Sequence, residues 1–113
     1  MKRLLTVSLV ALCATAHAEF WDGNRIYERA TSETWYDRGT AMGYIMGVTD
    51  TTLGISHCAP QNVTAGQVEA MVLQHLRLFP ERRARTGDSL VIEVLKATWP
   101  CPARTPSPGS RSL

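Results

Sequence analysis

Residues 35–53 of the chain, WYDRGTAMGYIMGVTDTTL, are the stretch that decides the fold. Apolar side chains recur there at the i, i+3, i+4, i+7 spacing of one helical face, namely Ala41, Tyr44, Ile45 and Val48. An adjacent face of the same helix carries Met42, Met46 and Leu53. A helix that is apolar over most of its circumference is buried on several sides. The pattern therefore predicts a long central helix.

Glycines form a third stripe on this helix, at Gly39, Gly43 and Gly47. Each glycine lowers helix stability by about 1 kcal/mol relative to alanine. We expect the close approach of another backbone to offset this cost. That backbone lies either within the domain, which we favour, or across a dimer.

A third helix has the clearest start signal in the chain. Thr64 and Gln67 have the spacing of a capping box, and Val63 before the cap can pack against Val68. Pro80 ends the helix. Its predicted buried stripe contains Val68, Met71, Val72, Leu76 and Phe79.

Two shorter helices complete the predicted fold. Asp22-Gly23-Asn24 offers N-cap side chains to a first helix over 25–32, and a final helix covers about 88–98. Strand patterns of period two are absent. The sequence therefore predicts an all-α fold, a compact bundle of about four helices.

The first eighteen residues have the pattern of a secretory signal peptide. Lys2 and Arg3 precede an apolar stretch over 4–13, and Ala16-His17-Ala18 predicts cleavage after Ala18. The apolar stretch is too short for a membrane span, which needs about 20 residues. We expect a periplasmic protein with a mature domain over 19–103 and a disordered Pro/Ser/Gly-rich tail over 104–113. An extracellular location is the alternative.

Cleavage changes both the charge and the cysteine count. Loss of Lys2 and Arg3 lowers the basic residues from twelve to ten, equal to the ten acidic residues. A nearly neutral protein is a poor ligand for nucleic acid or an anionic membrane surface. Loss of Cys13 leaves Cys58 and Cys101, which we expect to form a disulfide that ties the start of the third helix to the end of the fourth.

No catalytic or metal site is predicted. His57 does not activate Cys58, because neighbouring side chains point apart and a disulfide holds no thiolate. The set of His57, Cys58, His75 and Cys101 lacks the close ligand pairs of zinc sites. We therefore expect a binding protein that is not an enzyme and uses no cofactor.

Partner contacts are predicted in two polar segments that flank the third helix. We expect both segments to be exposed, and an arginine cluster suits an acidic partner surface. The alternative is that these arginines are merely solvated. The candidate residues are His57, Gln61, Asn62, Arg82, Arg83 and Arg85.

A series of short motifs carries a family resemblance. They begin with Phe20-Trp21-Asp22-Gly23-Asn24-x-x-Tyr27-Glu28 and continue as Gly43-Tyr44-Ile45-x-Gly47-Val48-x-Asp50, Cys58-x-Pro60, Val63-Thr64-x-Gly66-Gln67, Pro80-x-x-Arg83, Leu90-Val91 and Trp99-Pro100-Cys101. In this order and spacing the chain resembles the Tai/Rap immunity protein family. Such proteins protect bacteria from peptidoglycan amidases delivered by type VI secretion.

The resemblance implies a periplasmic inhibitor that binds a secreted amidase effector and occludes its active site. It also implies a possible homodimer. The alternative is a periplasmic adaptor or chaperone that uses Met42, Met46 and Met71 as an adaptable surface. Members of the family commonly carry two further cysteines where this chain has Ala30 and Ala41. We therefore expect a looser link between the first and second helices here.

Overall fold

The computed structural model describes residues 20–103. It contains α1 (Gly23–Ala30), α2 (Trp35–Thr52), α3 (Ala65–Leu78), a short 3-10 helix η1 (Pro80–Ala84) and α4 (Gly87–Thr98). The predicted all-α fold with about four helices is confirmed. Between residues 20 and 103 the β-structure is limited to isolated bridges. The predicted signal peptide and C-terminal tail lie outside the described residues.

Helix α2 is the centre of the domain, as its apolar pattern predicts. It contacts α1, α3 and α4, and its Ala41 and Ile45 are fully buried. Burying a side chain of the size of Ile45 contributes about 1.5–3 kcal/mol. The other large, fully buried core side chains come from the three remaining helices, and they are Ile26, Val68, Val72, Leu76, Leu90, Val91 and Leu95.

Side-chain caps fix the starts of α1 and α3, and α1 begins at Gly23, two residues before its predicted start. The Arg25 amide donates to the Asp22 carboxylate at 2.8 Å, so Asp22 caps α1. At α3 the Thr64 amide donates to Gln67 Oε1 at 2.8 Å, and the Gln67 amide donates to Thr64 Oγ1 at 3.2 Å. This reciprocal pair confirms the predicted capping box.

The close backbone approach in this fold occurs at Gly23 and Gly87. The Gly23 amide donates to the Arg85 carbonyl at 3.1 Å, and the Gly87 amide donates to the Trp21 carbonyl at 2.7 Å. A Cβ atom on Gly23 would lie 2.8 Å from the Arg83 Cα, and one on Gly87 would lie 2.9 Å from the Tyr44 hydroxyl. These contacts hold the start of α1 next to the start of α4.

The predicted approach of another backbone to the α2 glycines within the domain is wrong. A Cβ atom built on Gly39, Gly43 or Gly47 would meet no atom of the described chain within 4 Å. Successive residues turn by about 100° around a helix, so Gly43 lies roughly opposite the buried Ala41. The glycine stripe is therefore an exposed face of α2.

The link between α1 and α2 is held by a carboxylate. Arg29 Nη1 donates to Asp37 Oδ1, and the hydroxyls of Ser32 and Thr34 donate to Asp37 Oδ2, each at 2.8 Å. The hydrogen bonds from Thr34 and Ser32, aided by the Arg29 charge, outweigh partial burial and lower the pKa of Asp37. Polar contacts thus fix a connection that lacks a disulfide.

Candidate functional site

A disulfide joins Cys58 and Cys101, with their Cα atoms 4.8 Å apart. Beside it the Cys58 amide donates to the Trp99 carbonyl at 2.8 Å. Cys58 precedes α3 and Cys101 follows α4, so the bond closes the open end of an α3–α4 hairpin. The predicted pairing and its position are confirmed.

The arginine-bearing η1 lies at the other end of this hairpin. Helix α3 has 14 residues, which gives a length of about 21 Å. Any effect of the disulfide on η1 is therefore transmitted through the pairing of the two helices, because the bond itself does not reach the turn.

His57 is fully buried, so its predicted exposure is wrong. Its Nε2 lies 2.9 Å from the Thr49 carbonyl oxygen, and the Ala59 amide donates to Nδ1 at 3.2 Å. The two contacts require the tautomer in which Nε2 carries the proton. Thr49 lies in the last turn of α2, where carbonyls lack partners within the helix. His57 is therefore a structural residue that satisfies the end of α2.

Gln61 and Asn62 lie in the turn between the disulfide and α3, and both side chains are exposed as predicted. Their neighbours Cys58 and Val63 are half-buried, the latter against the core. The turn is thus anchored on both sides while its polar side chains face solvent. Such a segment can make contacts with a partner at little ordering cost.

Arg82 and Arg85 share one carboxylate. Arg82 Nη1 lies 2.8 Å from Glu93 Oε1, and Arg85 Nη1 lies 2.9 Å from Glu93 Oε2. The two arginine side chains remain 43% and 51% exposed. A guanidinium has five N–H donors, so each arginine keeps donors that a partner can use. Glu93 holds this basic pair, Arg82 and Arg85, at a fixed separation.

Arg83 has a different environment from its neighbours. Its Nε donates to the Leu76 carbonyl at 2.6 Å, and its guanidinium carbon lies 3.8 Å from the centre of the Tyr27 ring. The side chain is half-buried and joins η1 to the end of α3 and to α1. Arg83 is thus a packing residue, whereas the basic pair is available at the surface.

Charge is unevenly distributed along residues 20–96. Residues 77–96 contain five basic and three acidic side chains, whereas residues 20–76 contain three basic and six acidic ones. Arg77 lies at the end of α3, Arg82 and Arg83 lie on η1 and Arg85 follows it, whereas Lys96 lies in the last turn of α4 near the disulfide. Among residues 20–103, most of the basic side chains of the first range therefore lie at the η1 end of the hairpin.

Phe79 is a surface residue that the helical pattern assigned to the core. It ends α3, and its backbone angles leave the helical region at φ −125° and ψ 66°. Helical periodicity no longer directs its side chain inward, and the residue is 38% exposed. Leu78 beside it is 62% exposed. The nearby Pro80 was the sequence signal that the periodicity stops here.

The methionines of the adaptor hypothesis do not form an exposed surface. Met42, Met46 and Met71 are each half-buried, and the last two pack against the core. Among residues 20–103 there is no cluster of three or more His, Cys, Asp or Glu side chains that could hold a metal ion. In the same range no helix is long and apolar enough to cross a membrane.

A protein-family model for Rap1a immunity proteins matches residues 6–101, a range that contains all four α-helices and both disulfide cysteines. The chain belongs to the Rap1a immunity protein family. The predicted family resemblance is therefore confirmed. Membership implies a non-enzymatic protein that inhibits a type VI secretion effector. A search of the curated proteins finds no match to this Rap1a family protein.

Proposed function

We propose that this Rap1a family protein is exported to the periplasm and neutralises a peptidoglycan amidase delivered by type VI secretion. The family match over residues 6–101 is the observation that carries the proposal. The Cys58–Cys101 disulfide supports an oxidising compartment, since such bonds persist outside the cytoplasm. The signal peptide predicted over residues 1–18 directs this export and is cleaved after Ala18. The amidase cuts the cell wall from the periplasm, so its inhibitor acts in the same compartment.

The inhibitor acts by covering the active site of the amidase, and it contributes no chemistry of its own. Two surfaces suit this role, namely the exposed turn of Gln61 and Asn62 and the basic pair of Arg82 and Arg85. Both are attached to rigid elements, so little conformational entropy is lost when a partner binds. His57 and Arg83 support these surfaces from inside the domain.

A second copy of the chain covers the exposed face of α2 in a homodimer. Two observations favour this face: its glycines meet no other part of the described chain, and Trp35 and Tyr36 at its start are 79% and 64% exposed. A twofold axis places the same face of both copies in contact, and small residues allow two helices to approach closely. The dimer thereby offsets the helix stability that the glycines cost.

The function is tested by growth. Each of a panel of type VI amidase effectors is directed to the periplasm of a laboratory bacterium, with and without the full chain. We expect the chain to restore growth against at least one amidase. A variant lacking residues 1–18 is the matched control, and it should give no protection because it stays in the cytoplasm. Rescue by this variant would contradict export, and failure against the whole panel would contradict the function.

A further inference from the structure

An apolar groove of about 270 Å³ lies between α3 and α4, outside the surfaces discussed so far. Leu78 and Phe79 form its most exposed wall, at 62% and 38% exposure, and Val94 and Ala97 form the wall on α4. Met71 and His75 also line the groove. Exposed aliphatic and aromatic side chains around a concave surface are typical of a binding site for a partner's apolar side chain.

The groove and the basic pair form one continuous surface. The Arg82 guanidinium carbon lies 5.0 Å from the centre of the Phe79 ring, so Arg82 covers the edge of the groove. Glu93, which holds both arginines, directly precedes Val94 of the α4 wall. An occupant of the groove would therefore lie next to the Arg82 guanidinium, which shares Glu93 with Arg85.

His75 adds an unsatisfied polar atom to the groove. Its ring contacts Phe79 with the ring centres 5.0 Å apart. Its Nε2 is buried and has no hydrogen-bond partner among residues 20–103. Burying a polar atom without a partner costs free energy. The surface therefore combines apolar area and positive charge, and the buried His75 nitrogen makes the ring a sensitive reporter of changes in the groove.

We propose that this groove is the docking site for an acidic, apolar segment of the amidase effector. An aliphatic or aromatic side chain of the segment fills the groove between Leu78 and Val94. A carboxylate beside it accepts hydrogen bonds from the free donors of Arg82 and Arg85, which suit a carboxylate's two oxygens. The inference rests on the proposed function, which supplies the amidase as the partner.

Charge favours an acidic segment of the amidase over a second copy of the chain as the occupant of the groove. A symmetric dimer through the groove would place Arg82 and Arg85, which share the single carboxylate of Glu93, against the same residues of the other copy. Like charges facing each other oppose association. A segment with carboxylates is attracted to the same surface. The groove is therefore suited to an acidic partner, and the glycine face of α2 to self-association.

The test measures affinity for an amidase that the chain neutralises in the growth assay, by calorimetry on purified proteins. We expect Leu78→Glu and Arg85→Glu each to weaken binding by about tenfold or more, because one blocks the groove and the other repels the carboxylate. Phe20→Glu is the matched control, since Phe20 is 89% exposed and lies outside the groove. It should change affinity by less than about twofold.

Three further measurements check that the Leu78→Glu variant is folded and that the groove is the surface that binds. Thermal unfolding of the Leu78→Glu variant should match that of the unaltered protein, because the replaced side chain is mostly exposed. The imidazole NMR signals of His75 should shift when the amidase binds. Salt should weaken binding of the unaltered protein more steeply than that of Arg85→Glu.

The outcomes distinguish a failure of the groove proposal from a failure of the proposed inhibitor function. Full affinity of both variants, with His75 signals unmoved, would overturn the groove proposal while leaving the inhibitor function intact. Formation of a dimer that Leu78→Glu disrupts would assign the groove to a second copy and also overturn the proposal. Failure of the unaltered protein to bind every amidase of the panel would contradict the proposed function and, with it, the groove inference.

Discussion

The Nε2 atom of His57 lies 2.9 Å from the carbonyl oxygen of Thr49, and the imidazole is fully buried. The opposite ring nitrogen accepts a hydrogen bond from the Ala59 amide one residue beyond Cys58. A single side chain thus connects the last turn of α2 to the loop that carries the disulfide. Two parts of the candidate binding surface depend on this contact, because Gln61 and Asn62 follow in the same loop.

Replacing His57 with Phe should lower the free energy of unfolding by about 1–3 kcal/mol. The new ring keeps the apolar volume but leaves the Thr49 carbonyl and the Ala59 amide without their partner. Urea unfolding measures the change. Gln61→Ala is the control and should stay within about 0.5 kcal/mol of the unaltered protein, because Gln61 is exposed. Equal stability of the two variants would show that the His57 contacts do not matter.

Replacing Cys58 and Cys101 together with Ala should lower the stability by about 4 kcal/mol, since the bond closes a loop with a sequence separation of 43. Urea unfolding without a reductant measures this loss. Reduction of the unaltered protein should weaken amidase binding at or before global unfolding, because the α3–α4 hairpin loses its closed end. Full affinity after verified reduction would refute a role for the bond in preorganising the surface.

Single substitutions should separate the roles of the three arginines. Arg83→Ala should lower the stability by about 1–3 kcal/mol, because the Leu76 carbonyl and the Tyr27 ring lose their partner. Arg85→Ala should change the stability by less than about 1 kcal/mol, since its ion pair with Glu93 is exposed to solvent. Arg85→Ala should weaken binding to the amidase more than Arg83→Ala does, when affinity is measured on the folded fraction of each variant. A larger loss of stability in Arg85→Ala would contradict these assignments.

Asp37 should give the protein a stability that decreases in acid. Its pKa lies below the ordinary value of 3.8, chiefly because the Thr34 and Ser32 hydroxyls donate to the carboxylate. A lowered pKa in the folded state stabilises the fold above the unfolded pKa, and this contribution is lost as the pH falls from about 3.8 through the folded pKa. Asp37→Asn should therefore be less stable at pH 7 and less sensitive to acid. Denaturant unfolding between pH 7 and acid measures both, and Asp50→Asn, at an exposed site, is the control.

Gly43→Leu should weaken the proposed homodimer while stabilising the monomer. Leucine favours a helix over glycine by nearly 1 kcal/mol, and a side chain at this site meets no atom of the described chain. The same side chain would separate two α2 helices in contact. Light scattering and thermal unfolding measure the two effects. Gly66→Leu is the matched control in α3, where the space is also open, and it should leave the oligomeric state unchanged.

An unaltered protein that stays monomeric at high concentration would contradict the homodimer. A dimer that persists in Gly43→Leu would show that another face mediates it. Either result would leave the glycine stripe of α2 without a role in assembly.

The sequence by itself determined α1 to α4, the caps of α1 and α3 and the disulfide pair. These features depend on local chemistry: apolar periodicity marks α2, the Thr64 and Gln67 side chains reach each other only when α3 forms, and Pro80 stops that helix. Removal of Cys13 with the predicted signal peptide leaves Cys58 one possible partner within the chain. The order of short motifs identified the family for the same reason, since motifs are local.

Only the tertiary structure decided which way the polar side chains face. Arg82 and Arg83 are adjacent in sequence, yet one pairs with Glu93 at the surface and the other packs on Tyr27. His57 turns inward to the Thr49 carbonyl at the end of α2, and this carbonyl is eight residues away in sequence. The orientation of a polar side chain depends on which hydrogen-bonding or charged partner the packed helices place near it. No local pattern encodes that partner, so the binding surface emerges only when the four helices are assembled.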